Sequence, residues 1–534
     1  MRLRHPSLLA AALLAASLAP LGAAAQAPAA KSQTLRIAFA DPISSADPQL
    51  NNHAGDRSLA LQIFDSIVDR HDSGNLPSLA QSWRTIDERT WEFKLNPKIT
   101  WHDGKPLTAQ DIAFSFQRAR SVPGSVASYA GRLRVIESVQ TPDAHTVIIK
   151  TNVPAPGLLQ DIGAVYVVSR HVGEKATTED YNAGRAVIGT GPYKLVSYTP
   201  GDRSVLERYD GYWGKKAEWA RVEYRFVNNP AARTAALLAG DVDVIDKVSP
   251  ADVQRLRQAK GIAVHAYPGL RALLIQPSFR PGPNEFIRDN AGQPLPQNPL
   301  ADVRVRRALS LAINRNAIAD RILQNTVTPA SQDMPKGTAG YNPDIAPTPY
   351  DAERARKLLA EAGYPQGFQL TVHVPGDRYP QAPEALQAVA QFWTRIGVKT
   401  TLETVPWALY SSRANKNEFA VSVLAWGNGT GELGYALVNV FATVDASKGL
   451  GASNWGRYSN TALDQALAAY TQEFDTGRQE SILRHAARLL DDDQAVIPLF
   501  HYQNIWASRA DLKVTPYVSD RTAAQMVTRV KATP

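Results

Sequence analysis

The stretch Val187-Ile-Gly-Thr-Gly-Pro-Tyr-Lys-Leu-Val196 is the most informative part of this chain. Two glycines followed by Pro192 indicate a tight turn, and an apolar run comes directly after them. Pro200-Gly201-Asp202 then separates this run from a second one that contains Val205 and Leu206. Two apolar runs around such a turn predict a β-hairpin.

The residues that follow the hairpin predict a helix and a short strand. Pro230 marks the start of the helix and Gly240 its end, because proline is favoured at the first helical position and glycine just past the last one. Val242, Val244 and Ile245 then resume an apolar run and indicate the strand.

Three separated segments together resemble one known family. Before the hairpin lie Leu-Pro-Ser-Leu-Ala-Gln-Ser-Trp at 76–83 and Trp-His-Asp-Gly-Lys-Pro-Leu-Thr-Ala-Gln-Asp at 101–111. After it, Asp-Val-Arg-Val-Arg-Arg-Ala-Leu occupies 302–309 and Ala-Ile-Asn-Arg occupies 312–315. In this order, and with the hairpin region between them, the segments resemble the family 5 solute-binding proteins, the dipeptide, oligopeptide and nickel receptors of bacterial ABC importers.

The resemblance implies an α/β fold of the two-lobed periplasmic-binding-protein type, namely type II of the large peptide-binding class, with an extra subdomain in lobe one. The expected division is a signal peptide at 1–25, lobe one at 26–272, lobe two at 273–505 and a return to lobe one at 506–534. Within lobe one, 31–76 and 187–272 form the core and 77–186 the inserted subdomain. The ligand is expected between the lobes, which close by rotation about a hinge.

The C-terminal half alternates between strand and helix patterns, which supports an α/β lobe. Asp351 is a helix N-cap before a helix that ends at Gly363, and apolar residues alternate along 368–374. A second helix is predicted to open at Pro383, followed by strands at 398–405 and 419–423. Repeated strand, helix, strand units are typical of α/β domains.

Composition places the chain among globular proteins. Its 534 residues are 44% hydrophobic and 20% charged, so it is long enough for two or three domains. The formal net charge is +8, and Lys and Arg are dispersed among Asp and Glu without a basic tract. Nucleic acid is therefore not expected as a partner, whereas ligands that carry a carboxylate are compatible with the charge.

The N-terminus predicts export. Met-Arg-Leu-Arg is followed by an apolar run from Leu8 to Ala19 and by Ala23-Ala24-Ala25, the pattern of a cleavable signal peptide that ends before Gln26. The expected location is the periplasm of a Gram-negative cell. The resemblance implies an ABC permease and ATPase complex of the inner membrane as partners, and a monomer is expected.

No set of residues indicates catalysis. The chain has no Cys, and Trp101-His102-Asp103-Gly104 is interpreted as a turn rather than a metal or catalytic site, because its ten His residues show no metal-ligand spacing. Asp491, Asp492 and Asp493 are interpreted as the solvated end of a helix. We therefore expect no enzyme activity, no cofactor and no bound metal.

Trp426, in Val-Leu-Ala-Trp-Gly-Asn-Gly-Thr-Gly-Glu, is the strongest candidate for a ligand contact, because it ends an apolar strand and opens a glycine-rich loop. Peptide-binding members of the family carry an aspartate shortly after this Trp, which pairs with the ligand's terminal ammonium. Here Asn428 or Gly429 takes that place, and Glu432 is the nearest carboxylate. Either Glu432 takes over the role, or the ligand has no such amine, as in a capped or modified peptide, an opine-like compound or a sugar conjugate.

Further ligand-facing candidates come from loops that match the family's cleft segments. Ser44, Ser45 and Asp47 follow the first predicted strand and are expected to form the wall opposite Trp426. Arg378 could bind a carboxylate through both of its terminal nitrogens. The weaker candidates are Tyr129, Trp407 and Asn439.

Two alternative functions remain open from the sequence. One is a secreted hydrolase, which would need two carboxylates facing each other across the cleft. The other is a nickel or haem receptor of the same family.

Overall fold

The computed structural model describes residues 33–71, 74–515 and 521–530. The predicted signal peptide at 1–25 lies outside these residues. No helix in the described part of the chain is both long and apolar enough to cross a membrane.

The described chain is a mixed α/β structure. Its strands are β1 (Thr34–Phe39), β2 (Val68–His71), β3 (Gly74–Pro77), β4 (Ala80–Asp87), β5 (Thr90–Leu95), β6 (Ile136–Asp143), β7 (Thr146–Thr151), β8 (Tyr193–Thr199), β9 (Arg203–Arg208), β10 (Arg221–Phe226), β11 (Val244–Ile245), β12 (Ile262–Pro277), β13 (Ile287–Arg288), β14 (Val327–Pro329), β15 (Phe368–Pro375), β16 (Val398–Val405), β17 (Val421–Gly427), β18 (Ile497–Arg509), β19 (Leu512–Val514) and β20 (Val527–Arg529).

The helices are distributed along the whole chain. They are α1 (Ala54–Ile63), α2 (Ala109–Ala119), α3 (Ala130–Leu133), α4 (Leu158–Ile162), α5 (Arg170–Gly173), α6 (Thr178–Asn182), α7 (Pro230–Ala239), α8 (Pro250–Gln258), α9 (Val303–Leu311), α10 (Arg315–Arg321), α11 (Ala352–Glu361), α12 (Ala382–Arg395), α13 (Trp407–Asn415), α14 (Leu433–Ala436), α15 (Thr461–Tyr470) and α16 (Thr476–Asp492). A π-helical turn at Leu437–Phe441 follows α14.

One large sheet runs through the molecule in the order β17-β12-β18-β11-β1-β10-β9-β8, and β14 also pairs with β18. The central pair, β12 and β18, is antiparallel, and its register is interrupted between Pro268 and Ala272. On one side of this interruption β18 pairs with β11, and on the other side β12 pairs with β17. The same two strands therefore serve both halves of the sheet.

Smaller sheets lie outside this large one. An antiparallel sheet of order β4-β5-β7-β6 packs against α2, and its hydrophobic cluster gathers buried residues between Ile67 and Val167. A three-stranded sheet of order β13-β15-β16 packs against α12. Separate hydrophobic clusters surround β1 and α1 on one side and β15, α9 and α12 on the other.

Most secondary-structure predictions are confirmed. β8 and β9 form the predicted hairpin around Gly201. α7 begins at Pro230 and ends at Gly240, which has a left-handed φ of 79°. The side chain of Asp351 accepts from the backbone of Arg354 and caps α11. The strand predicted at 419–423 is β17 and lies slightly later in the chain, at Val421–Gly427.

Gly189 and Gly191, the two glycines of the 187–196 stretch, are required because the backbone at the end of α1 approaches them closely. A Cβ atom at Gly189 would lie 1.7 Å from the carbonyl oxygen of Ile63, and one at Gly191 would lie 2.7 Å from the carbonyl carbon of the same residue. The amide of Gly191 also donates to that oxygen, at 2.9 Å. The end of α1 is thereby held directly against the turn that precedes β8.

His102 binds the same turn from the other side. Its backbone amide donates to the carbonyl of Gly189 at 2.8 Å, and its ring nitrogens contact the amide of Gly189 at 3.2 Å and the carbonyl of Gly191 at 2.9 Å. This pattern requires a neutral ring in which Nδ1 accepts and Nε2 donates. Burial lowers the pKa of His102 to about 4. The turn at Trp101–Gly104 therefore has a structural role, because His102 holds it against the turn at Gly189–Gly191.

We predict that Gly189→Ala lowers the free energy of unfolding by about 3 kcal/mol, because the new methyl group overlaps backbone that cannot move aside cheaply. Chemical denaturation at neutral pH measures this change. Gly131→Ala is the matched control, because a Cβ there meets nothing within 4 Å, and it should change stability by about 0.5 kcal/mol or less. Equal effects of the two substitutions would contradict the close-approach explanation.

A second prediction concerns pH. Because the folded pKa of His102 lies below the ordinary value of about 6.5, the unfolded chain takes up the proton first as the pH falls. The stability that neutral His102 contributes is full above pH 6.5 and is lost, at about 1.4 kcal/mol per pH unit, as the pH falls toward 4. The stability difference between the wild type and His102→Gln should therefore shrink across this window in denaturation series. A difference that stays constant from pH 7 to pH 4.5 would show that His102 does not titrate in this way.

Candidate functional site

Trp426 lies at the end of β17, opposite Ala272 of β12. Its ring stacks on Tyr435, with centroids 5.3 Å apart and planes inclined by 30°. The side chain is half-buried, and its indole Nε1 is buried without a hydrogen-bond partner among the described residues. A buried indole N–H normally finds an acceptor, so this one is available to a ligand atom. We call residues 426–432 the tryptophan loop.

Asn428 organises the tryptophan loop from within. Its side-chain oxygen accepts from the backbone amides of Thr430 and Gly431 and from the Thr430 hydroxyl, at 3.0–3.2 Å. Its side-chain nitrogen donates to the carbonyl of Glu432 at 2.8 Å. With this amide group fully engaged, Asn428 shapes the loop and has little capacity left for a ligand.

Glu432 ends the tryptophan loop and precedes α14. Its carboxylate is hydrogen-bonded by the hydroxyl of Tyr470. Burial raises the pKa of Glu432, while the bond from Tyr470 and the charge of Arg70 act in the opposite direction. The carboxylate therefore already has a neutral donor and a cation nearby.

Arg70, which the sequence patterns did not single out, reaches the tryptophan loop from a distant part of the chain. It lies on β2, its Nε donates to the side chain of Gln160 at 3.1 Å, and its NH2 donates to the carbonyl of Gly429 at 2.8 Å. Burial, followed by the like charges of neighbouring arginines, lowers the pKa of Arg70 to about 9. The guanidinium of Arg70 thus contacts the loop at Gly429, one of the two positions at which the family resemblance predicts a carboxylate in peptide-binding members.

A cavity of about 460 Å³ lies beside the strands β12 and β18. Its lining comes from 230 and 247–250 on one side, from 323, 326–327 and 380–381 on the other, and from the central strands themselves, including Arg271 and 502–506. Among the residues that the structure describes, no Asp or Glu belongs to this lining. The volume suits a small solute, since ligand pockets commonly measure about 300–1,000 Å³.

Arg271 connects this cavity with the tryptophan loop. Its guanidinium lies in the cavity lining, and its NH1 donates to the carbonyl of Ala425 at 3.1 Å. A Cβ atom at Gly427 would lie 2.8 Å from the Arg271 guanidinium, so the glycine makes room for it. The cavity, Arg271 and the loop thus form one continuous candidate site that favours negative charge.

The helices α8 and α12 begin at this cavity. Ser249 and Pro250 at the start of α8, and Gln381 at the start of α12, belong to its lining. Neither N-cap side chain makes a capping hydrogen bond. The positive ends of two helix dipoles therefore add to the charge of Arg271.

No three His, Asp or Glu side chains within 33–71, 74–515 and 521–530 gather into a group that could hold a metal ion. The Asp491–Asp493 segment is the end of α16, as predicted, and Asp493 accepts hydrogen bonds there from Tyr458 and Asn460.

Comparison with known proteins identifies the family. The sequence model of the bacterial extracellular solute-binding proteins, family 5 (middle region), matches residues 76–448. The chain belongs to this family. Family 5 members of this kind are binding proteins, and this chain is the solute-binding component of a bacterial ABC importer. The family predicted from the sequence is confirmed.

Individual relatives of this family 5 protein cover most of its length. It is 27% identical over 451 residues to the dipeptide-binding protein of Escherichia coli, spanning 80% of this chain and 81% of that one. It is 26% identical over 453 residues to heme-binding protein A of Haemophilus influenzae, spanning 80% and 78%. Its fold matches that of HbpA2 from Haemophilus parasuis with a TM-score of 0.80 at 24% identity, over 93% of this chain and all of that one. The type II periplasmic-binding-protein fold predicted from the sequence is confirmed.

The predicted wall at Ser44–Asp47 makes internal bonds in this family 5 protein. Ser44 donates through its hydroxyl to Asp56 at 2.6 Å, and buried Ser45 donates to Asn182 at 2.7 Å. Asp47 is fully buried and forms an ion pair with Arg118 at 2.6 Å. These polar groups therefore hold the loop after β1 in place, and a ligand contact from them stays a prediction.

The other predicted residues lie in different surroundings. The exposed Arg378 lies over the ring of Trp407 at 5.3 Å, and Trp407 in turn stacks on Tyr410. Asn439 donates to the backbone carbonyl of Tyr435, and the ring of Tyr435 stacks on Trp426. Through Tyr435, Asn439 is connected to the tryptophan loop.

Tyr129 is fully buried in the cluster around β4–β7, and its hydroxyl has no hydrogen-bond partner among the described residues. Arg70 and Arg271, by contrast, are site residues that sequence reasoning missed. Arg271 follows Gly269, a break in an apolar run, and this was the only local signal that could have drawn attention to it.

Proposed function

We propose that this protein is a periplasmic receptor that captures a small, polar, peptide-like solute between two lobes and delivers it to an ABC permease and ATPase complex of the inner membrane. It acts as a monomer and makes or breaks no bonds in the solute. The observation that carries the proposal is the tryptophan loop, which adjoins Arg271 of the cavity lining at Gly427 and also contacts a distant part of the chain through Arg70.

The two lobes are those expected from the resemblance, 26–272 with 506–534 and 273–505. Separate hydrophobic clusters support this division, one around β1 and α1 and another around β15 and α12. The chain passes from one lobe to the other along β12 and returns along β18. The interruption of their pairing between Pro268 and Ala272 supplies a place where the strands can bend.

Contacts between the proposed lobes support closure as the mechanism. Arg70 of lobe one donates to Gly429 of lobe two, and Trp91 of the inserted subdomain lies 6.0 Å, ring to ring, from Phe474 of lobe two. A solute that touches both lobes stabilises the closed arrangement only by the difference between its interactions in the closed and open forms. The tryptophan loop is placed to make such contacts.

The solute lacks a free terminal ammonium at the tryptophan loop in this proposal. Asn428 is engaged inside the loop, Gly429 has no side chain, and the carboxylate of Glu432 is bonded by Tyr470 and faces Arg70. An ammonium placed there would lose solvation without gaining an unengaged carboxylate, which disfavours binding. Capped peptides, opine-like compounds and sugar conjugates remain the candidate solutes.

Native mass spectrometry of the protein purified from its own host tests the proposal, because a bound solute reveals its mass on release. A peptide-like or other small organic mass supports the proposal. A haem or nickel-chelate mass would replace it with the second receptor type of the family. A solute that is converted during incubation would instead indicate an enzyme.

We predict that Trp426→Ala weakens binding of the released solute by about tenfold in isothermal titration, because the stacked indole and its unpaired N–H are lost together. Tyr350→Ala is the control, because it removes an aromatic side chain that is 47% exposed and lies far along the sequence from the tryptophan loop. Its affinity should equal that of the wild type. Unchanged binding by Trp426→Ala would remove the tryptophan loop from the site.

A further inference from the structure

Positive charge is concentrated around Arg70. The charges of Arg521, Arg57 and Arg132 all act on it, and among these neighbours only Asp161 opposes them. Asp161 is itself paired with Arg132 at 3.0 Å. Glu432 is a second carboxylate within electrostatic range of Arg70. The excess of arginines over carboxylates around Arg70 favours an anion there.

Arg521 brings an unused donor to this cluster. With Arg70 it lines a second cavity of about 250 Å³, which also includes Tyr166 and Gly163. Its Nε is buried and has no hydrogen-bond partner among the described residues. A guanidinium offers several donors in one plane, which matches the geometry of a carboxylate or phosphate group.

The carboxylates near the cluster are already engaged. Asp56 accepts from Ser44, and Glu432 accepts from Tyr470. Asp65, in the lining of the second cavity, accepts from Thr190 at 2.8 Å and from Trp213 at 3.2 Å.

Asp69 lines the same cavity as Arg521 and Asp65. Burial, with a smaller contribution from Asp69, raises the pKa of Asp65 to about 6. Asp69 thus acts on Asp65 as a like charge, and neither residue is among the charges that act most on Arg70.

We propose that Arg70 and Arg521 form a subsite for an anionic group of the solute, a carboxylate or a phosphate. The proposal rests on the proposed function and narrows it to solutes that carry negative charge at the end facing the tryptophan loop. The contact of Arg70 with Gly429 joins the subsite to that loop, so an anion bound there touches lobe one and lies against lobe two.

Isothermal titration with matched probe pairs tests this subsite. N-succinyl-dialanine against N-acetyl-dialanine adds one carboxylate, and phosphoserylalanine against serylalanine adds one phosphate. We expect the more anionic member of at least one pair to bind about tenfold more tightly, as a charge-assisted hydrogen bond implies. The pair that shows the preference identifies the group. No preference in either pair, or tightest binding of unmodified dialanine, would overturn the proposal.

Substitutions assign the preference to the subsite. Arg521→Gln should abolish the preference of the responding pair while leaving the less anionic member within about twofold of its wild-type affinity. Arg70→Gln should also abolish the preference, and it should weaken binding of both members because it removes the contact with Gly429. Arg203→Gln is the control, because this exposed side chain pairs with the adjacent Asp202, and it should retain the full preference. Retention of the preference by both Arg521→Gln and Arg70→Gln would overturn the proposal.

The result can be separated from failure of the proposed function. A small-molecule solute found by native mass spectrometry, together with no anion preference in titration, would leave the receptor function standing and reject the subsite. Absence of any bound solute together with turnover of a probe would reject the receptor function itself.

Discussion

The antiparallel pair β12–β18 is the constraint on which the rest of the structure depends. These two strands lie at the centre of the large sheet and pair with β11 on one side of the register interruption and with β17 and β14 on the other. Hydrogen bonds pair the strands along both arms, whereas the register shifts between Pro268 and Ala272 and again between Leu273 and Leu274. In the proposed mechanism, bending is concentrated in this irregular segment, as hinge motions require.

The interrupted segment also contacts the candidate site. The carbonyl of Leu270 accepts from the amide of Asn428, and the neighbouring Arg271 lines the larger cavity. Asn428 in turn fixes the course of the tryptophan loop, whose Gly429 accepts a hydrogen bond from Arg70 of the proposed first lobe. In the proposed mechanism, rotation of the lobes changes the distance between Arg70 and the loop, so closure creates the arrangement that recognises the solute.

The features that could be predicted from the sequence are those that local backbone chemistry controls. The turn at Gly201, the N-cap at Asp351 and the helix end at Gly240 follow from backbone preferences of single residues, and the structure has all three. Ser45 and Asp47 differ, because a polar loop after a strand has the same local pattern whether its groups face a ligand or bind inside the protein. Only tertiary packing decides between these outcomes.

The arginine cluster shows a second limit of sequence reasoning. Arg70 and Arg521 lie at opposite ends of the chain, and nothing near either residue in sequence distinguishes it from an exposed charge. Their proximity depends on the return of the chain along β18 and on the packing of β2 beside α4. Similarly, Gly189 and Gly191 could be predicted to form a turn, but the reason for them, the carbonyl of Ile63, comes from a helix more than a hundred residues earlier.

The closing of the two lobes on a solute is the central claim, and an intramolecular distance measures it most directly. The chain has no Cys, so spin labels on cysteines introduced at the exposed positions Val126 and Gln472 report only the separation of the inserted subdomain and lobe two. Pulsed electron spin resonance should show a longer, broader distance distribution in the stripped protein and a shorter, narrower one after the co-purified solute is restored. An identical distribution in both states would contradict capture by closure.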